Sequence, residues 1–225
     1  MIKEYKMNKE LKDTFTHIFL NKENYLLTIY SSYQCFKNFK LSKDIKWICG
    51  KHWGQWIYEY LNICSHSNCE FQESNERFVY SEKTLCNALG VACGYGINEP
   101  VFVNITDSVV TSGLFYESLI FIKEYKPKIN VLIDFNSKTR NNENFISLNQ
   151  LKKFLNTFKI KYKICKPYEK IEINSIDEPY FYIFKTKKYF KHPKLKYLNT
   201  YNYKTLLYLD YKNLLDYIDE EIENA

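Results

Sequence analysis

Glycine is scarce in this chain: six in 225 residues, at positions 50, 54, 90, 94, 96 and 113, against a usual share of roughly 7%. Neither a G-x-G-x-x-G fingerprint nor a Walker loop occurs, which makes dinucleotide and P-loop readings poor. Arginine is scarcer still, with Arg77 and Arg140 the two in the sequence. Arginine is the side chain best suited to bidentate phosphate and base-edge contacts. The net charge of +6 rests on lysines spread along the whole chain, so no nucleic-acid partner is expected. The seven cysteines (35, 49, 64, 69, 86, 93, 165) form no C-x-x-C pair and leave an odd one over, which reads as buried thiols in a reducing compartment. Cys64, His66 and Cys69 lie close together without an evident fourth metal ligand. No apolar run approaches membrane-spanning length, and the opening MIKEYKMNKELKD lacks the apolar core of a signal peptide. The expectation is a soluble, cytoplasmic protein with no membrane partner.

What the chain does have is apolar and aromatic mass, 45% and 18% of residues, enough to pack a core. With no internal repeat and no low-complexity linker, 1–225 is expected to form a single domain with a closing helix at about 205–223. The informative stretch is Pro100 to Lys138. Val101 to Ile105 is a β-branched and aromatic run that ends near an isolated carboxylate, Asp107. Val110, Leu114, Leu119 and Ile122 then follow at helical spacing, and Ile129 to Ile133 is a second strand-like run leading to Asp134-Phe135-Asn136. Strand, helix, strand in this order is a βαβ unit, the building block of parallel sheets. Asp107 and Asn136 each fall just past a strand, at the edge where open parallel sheets bind ligands. One carboxylate and one carboxamide there suit Mg²⁺, which takes one or two protein oxygens and fills its octahedron with phosphate and water. The local alternatives are Asp107 as the cap of the next helix and Asn136 as a turn residue.

Elsewhere the spacing predicts helices at about 9–30, 56–61, 82–94, 148–158 and 206–218, and strands at 44–49, 77–80, 160–165 and 180–184. The run Tyr180 to Phe184 is continuous and apolar, as a strand buried on both faces requires. Residues 62–76, 139–144 and 185–204 read as loops. His52 sits in a glycine turn between a predicted strand and helix, a position from which it could touch a ligand or pack beside Trp53 and Trp56.

Taken in order, several pieces resemble one family, the thiamine diphosphate-binding half of transketolases, in particular the form made as a separate N-terminal subunit. Gly50-Lys51-His52-Trp53 is similar to its Ser-Lys-Gly-His block. Thr84 to Ala92 is similar to its glycine-rich turn and Ala-x-Gly-x-Ala helix. Thr106-Asp107-Ser108, then Gly113 and Glu117, match Gly-Asp-Gly, Glu-Gly and a helix Glu. Asp134-Phe135-Asn136 matches the closing Asp-x-Asn, and Glu178-Pro179-Tyr180 through Lys185-Thr186 resembles Lys-Pro-Thr-x-Ile-x-x-Lys-Thr. Tyr201-Asn202-Tyr203-Lys204 falls at the Trp-His-Tyr-Lys position. The resemblance covers most of the chain, although much of the family's early region, with its first substrate-contacting histidine, is missing or shortened. The chain also departs from the pattern at Thr106 and Ser108 (glycines in the family), Ser112 (a glutamate) and Asn202 (a histidine).

The resemblance implies an α/β fold, a parallel sheet covered by helices on both faces forming a thiamine diphosphate-binding domain of the PP type. It implies thiamine diphosphate and Mg²⁺ as cofactors. Asp107, Asn136 and the Lys138 carbonyl would hold the metal, and the Ser108 N–H and Asn202 would meet the diphosphate. His52 would lie near the diphosphate and the reacting ring. Glu117 would stand near a subunit interface that links two active sites. The implied activity is transfer of a two-carbon ketol unit from a ketose to an aldose, on sugar or sugar-phosphate substrates, within a specialised sugar pathway. The chain is too short to hold the pyrimidine-binding domain, so the implied partner is a separate C-terminal-half subunit. Two alternatives stay open: a non-catalytic paralogue acting in assembly or regulation, and a half-enzyme similar to 1-deoxyxylulose-5-phosphate synthase or a 2-oxoacid dehydrogenase.

Overall fold

The computed structural model describes residues 31–32, 34–49, 78–81, 87–136 and 146–186. In chain order its elements are β1 (Phe39–Leu41), β2 (Lys46–Cys49), β3 (Phe78–Ser81), α1 (Asn87–Tyr95), β4 (Val101–Thr106), α2 (Gly113–Tyr125), β5 (Ile129–Phe135), α3 (Leu148–Thr157), β6 (Lys161–Cys165), β7 (Ile171–Ile173) and β8 (Tyr180–Lys185). A 3₁₀ turn, Asp107–Thr111, joins β4 to α2, and residues 31, 32 and 34–36 are helical.

Six strands form one sheet in the order β3-β2-β4-β5-β8-β6, and every pairing is parallel. This is an α/β fold, and its central strands have the composition such a sheet demands. All seven residues of β5 are buried, as are the first five of β4, because helices or other chain cover both faces. Alternation sorts the side chains. Val101, Val103 and Ile105 of β4, Ile129, Val131 and Ile133 of β5, and Phe181 and Ile183 of β8 join one apolar cluster. Ala88, Leu89 and Ala92 of α1, Phe115, Leu119 and Ile122 of α2, and Leu151 and Leu155 of α3 belong to the same cluster, so these three helices cover one face.

The opposite face is built from aromatics. Trp47 of β2 and Phe102 of β4 meet edge to face with ring centres 5.0 Å apart, and Phe36 and Phe39 stack beside them at 5.4 and 5.0 Å. The Trp47 indole N–H donates to Asn104 Oδ1 at 2.7 Å, which satisfies two polar groups inside this layer. Beside it β1 and β7 form a two-stranded parallel sheet, Phe39 opposite Ile171 and Leu41 opposite Ile173. Tyr168 N donates to Gln34 O at 2.8 Å, and Asn38 Nδ2 donates to Tyr168 O at 2.6 Å.

The predicted strands and helices within the described residues are all present, with ends shifted by a few positions. Three details differ. β1 and β7 were not expected, because three residues apiece carry too little alternation to register. Val110 belongs to the 3₁₀ turn rather than to a helix. Leu114, expected on the buried stripe, is 40% exposed, and Phe115 takes its place with Leu119 and Ile122. The helix begins only at Gly113, after the turn has broken the phase. The predicted segments at 9–30, 56–61 and 206–218 lie outside the described residues.

Helix ends follow their capping chemistry. Ser147 and Gln150 form a capping box at the start of α3. Ser112 caps α2, its hydroxyl accepting from Phe115 N at 3.3 Å and donating to Val109 O at 2.8 Å. Asp107 therefore does not cap α2. Buried cysteines match the expectation for a chain without disulfide spacing: Cys35, Cys49, Cys93 and Cys165 are all buried. Among the described residues no helix is long and apolar enough to cross a membrane.

Candidate functional site at the carboxyl edge of the sheet

Strand order sets where a ligand fits. From β2 the chain goes to β3 on one side, and from β4 it goes to β5 on the other. The order therefore reverses between β2 and β4, and the carboxyl ends of such a pair are where open α/β sheets bind ligands. Asp107 follows β4 directly, at that reversal. Positions 50–53, His52 included, follow β2 in sequence and lie outside the described residues.

β4 and β5 pair from Val101↔Ile129 through Thr106↔Asp134. Parallel neighbours in a sheet run about 4.8 Å apart. Asp107 and Asn136, one residue past β4 and one past β5, thus emerge from adjacent strands at the same edge. Asp107 is 3% exposed, and Asn136 is half-buried.

Ser108 stands beside Asp107 in the 3₁₀ turn, and its hydroxyl lies 2.6 Å from Thr106 Oγ1. Side chains at 106 and 108 fit without strain. Thr106 has φ −105° and ψ 162°, ordinary extended backbone, and Ser108 is not among the residues with positive φ. Glycine is valuable where φ is positive, and neither position needs it. Glu117 is elsewhere: it is exposed on α2, with the exposed Leu114 and Ile120 three residues to either side. Lys138 and Asn202 lie outside the described residues, as do Cys64, His66 and Cys69.

Asp134, two residues before Asn136, was not foreseen as a site residue. It is 4% exposed, and its carboxylate accepts from Ser31 Oγ at 2.6 Å and from Thr186 Oγ1 at 2.5 Å. Ser31 and Thr186 are buried too. Thr186 N also donates to Phe135 O at 3.1 Å, so the end of β8 is tied to β5 by backbone and side chain together. A buried carboxylate costs several kcal/mol of desolvation, which hydrogen bonds to the charged oxygens offset. Its charge is felt nearby: burial, and then the Asp134 carboxylate, push the Cys35 thiol well above its ordinary value. The readable signal was an acid in a strand that is apolar apart from it and Asn130, since such a group must find partners.

As a metal site the donor set is hard and sparse. Among the described residues no cluster of three or more His, Cys, Asp and Glu side chains is gathered. One carboxylate and one amide oxygen at adjacent strand ends are enough for Mg²⁺, which draws its remaining ligands from phosphate and water. By donor type, a carboxylate and an amide oxygen are hard ligands of the kind Mg²⁺ takes. No protein-family model matches the chain, and no curated protein matches it in sequence.

Proposed function

We propose that this chain is the cofactor-anchoring subunit of a two-component, transketolase-like enzyme that uses thiamine diphosphate and Mg²⁺. A separate pyrimidine-binding subunit would complete it, and ketose and aldose sugars or their phosphates would be its substrates. One observation carries the reading: Asp107 and Asn136 leave adjacent parallel strands at the carboxyl edge, beside the point where strand order reverses.

In this reading the Asp107 carboxylate and the Asn136 amide oxygen hold the metal, with the Lys138 carbonyl as a third oxygen. Asp107 is buried, and in the lower local dielectric its charge acts more strongly on a nearby cation. The Ser108 N–H and Asn202 steady the diphosphate, Asn202 by hydrogen bonding alone because an amide carries no charge. His52 is placed in sequence to reach the same edge from β2 and to exchange a proton near the sugar carbonyl. Glu117, exposed on α2, is free to meet the partner subunit. The bound cofactor supplies the nucleophilic carbon that carries the two-carbon unit.

Calorimetry with thiamine diphosphate and Mg²⁺, in the presence of the partner subunit, tests the assignment. Binding is expected to require Mg²⁺ and to weaken more than about tenfold in Asp107→Ala and in Asn136→Ala. Mg²⁺-independent binding, or none, counts against it. A second reading, a non-catalytic paralogue serving assembly, draws on Ser112. Where the family has a glutamate reaching across the dimer, this serine is occupied in capping α2. Cofactor binding without ketol transfer from any ketose donor would favour that reading.

A further inference from the structure

We infer that Asp134 is a positioning residue for the metal edge: clamped by Ser31 and Thr186, it fixes the direction in which the chain leaves β5 and so where the Asn136 amide points. The inference rests on the magnesium-diphosphate reading only for its functional consequence; the geometry stands apart from it. Three segments far apart in sequence converge on one carboxylate. Ser31 comes from the helical stretch before β1, Asp134 from β5 and Thr186 from the residue after β8. All three are buried, so water does not readily replace a lost partner and the arrangement is costly to loosen. Thr186 N closes the other side by donating to Phe135 O. The backbone on either side of Phe135 is thereby held from two directions, one residue before Asn136.

On the other face of β5, Val131, Ile133 and Phe135 fill the apolar cluster. A carboxylate adds nothing to that packing. Its use is directional, since an ionised acid with two hydroxyl donors allows fewer arrangements than an apolar contact does.

The test uses the full chain with Thr186→Val, which keeps the shape and removes one donor, and Thr186→Ser, which restores it. Leu155→Val, a core change in α3 on the opposite face, serves as a destabilised control that does not touch the clamp. The side-chain amide resonances of Asn136, assigned with Asn136→Asp, are read by nitrogen-15 NMR. Thr186→Val is expected to shift or broaden them, while Thr186→Ser and Leu155→Val leave them in place. Where Mg²⁺–thiamine diphosphate binds the wild type, Thr186→Val is expected to weaken it roughly tenfold, beyond anything Leu155→Val does. Unmoved Asn136 resonances in Thr186→Val, or equal movement in Leu155→Val, overturn the positioning role. A wild-type chain that binds no cofactor overturns the magnesium-diphosphate reading instead, and the resonances still decide the clamp.

Discussion

At the scale of single residues, Gly96 separates a glycine the fold requires from those it merely contains. A Cβ there would collide with the Ile129 Cγ2 methyl and come within 3.0 Å of the Ala92 carbonyl and 3.1 Å of Pro127 Cβ. The same residue closes α1, its N–H donating to Ala92 O at 2.8 Å while its carbonyl accepts from Lys128 N at 2.7 Å. Gly96→Ala is therefore expected to cost about 1–3 kcal/mol through overpacking, read as a lower denaturation midpoint at unchanged slope. Gly94→Ala, with nothing within 4 Å of the added methyl, is expected to be neutral or slightly stabilising. Thr106 and Ser108 differ from the glycines of the resembled motif, yet their backbone is of a kind any residue adopts. Sequence alone left that point open, because φ is not written in residue type. Asp107 and Asn136 were legible for the opposite reason: a polar residue closing an apolar run marks a strand end whatever the tertiary contacts.

At the scale of elements, α2 shows how a one-residue phase change alters a face. Reading the apolar spacing from Val110 placed Leu114 inside, but the 3₁₀ turn ends at Thr111 and the helix starts afresh at Gly113. Phe115, fully buried, makes the contact instead. Phe115→Ala is expected to cost about 3–5 kcal/mol, whereas Leu114→Ala should fall within ~0.5 kcal/mol of wild type. Urea titration of the two variants checks this, and equal losses would place Leu114 back in the core. β1 and β7 escaped notice because their pairing joins residues 39–41 to 171–173, a partnership no local pattern announces. The Ser31–Asp134–Thr186 clamp was hidden likewise: the acid is conspicuous in its strand, but its partners lie 103 and 52 positions away.

At the scale of the whole molecule, the parallel character of the sheet was legible in the strand-helix-strand order leading to Ile129–Ile133 and in the continuous apolar run Tyr180–Phe184. The strand order was not. β8 enters between β5 and β6, and periodicity says nothing about which neighbour a strand selects. This insertion has a consequence for how the protein comes into being. While the nascent polypeptide leaves the ribosome, β5 and β6 cannot be joined, since the strand that bridges them is synthesised after both. Until Tyr180–Lys185 arrives, two strand edges stand unpaired, an invitation to aggregation. A chain stopped before Tyr180 is expected to be poorly soluble and to lose cooperative melting, which centrifugation and calorimetry would reveal; a soluble, cooperatively melting truncate would contradict it. Maturation is thus gated by a keystone delivered late, and chaperone demand should be greatest in the interval before it is set.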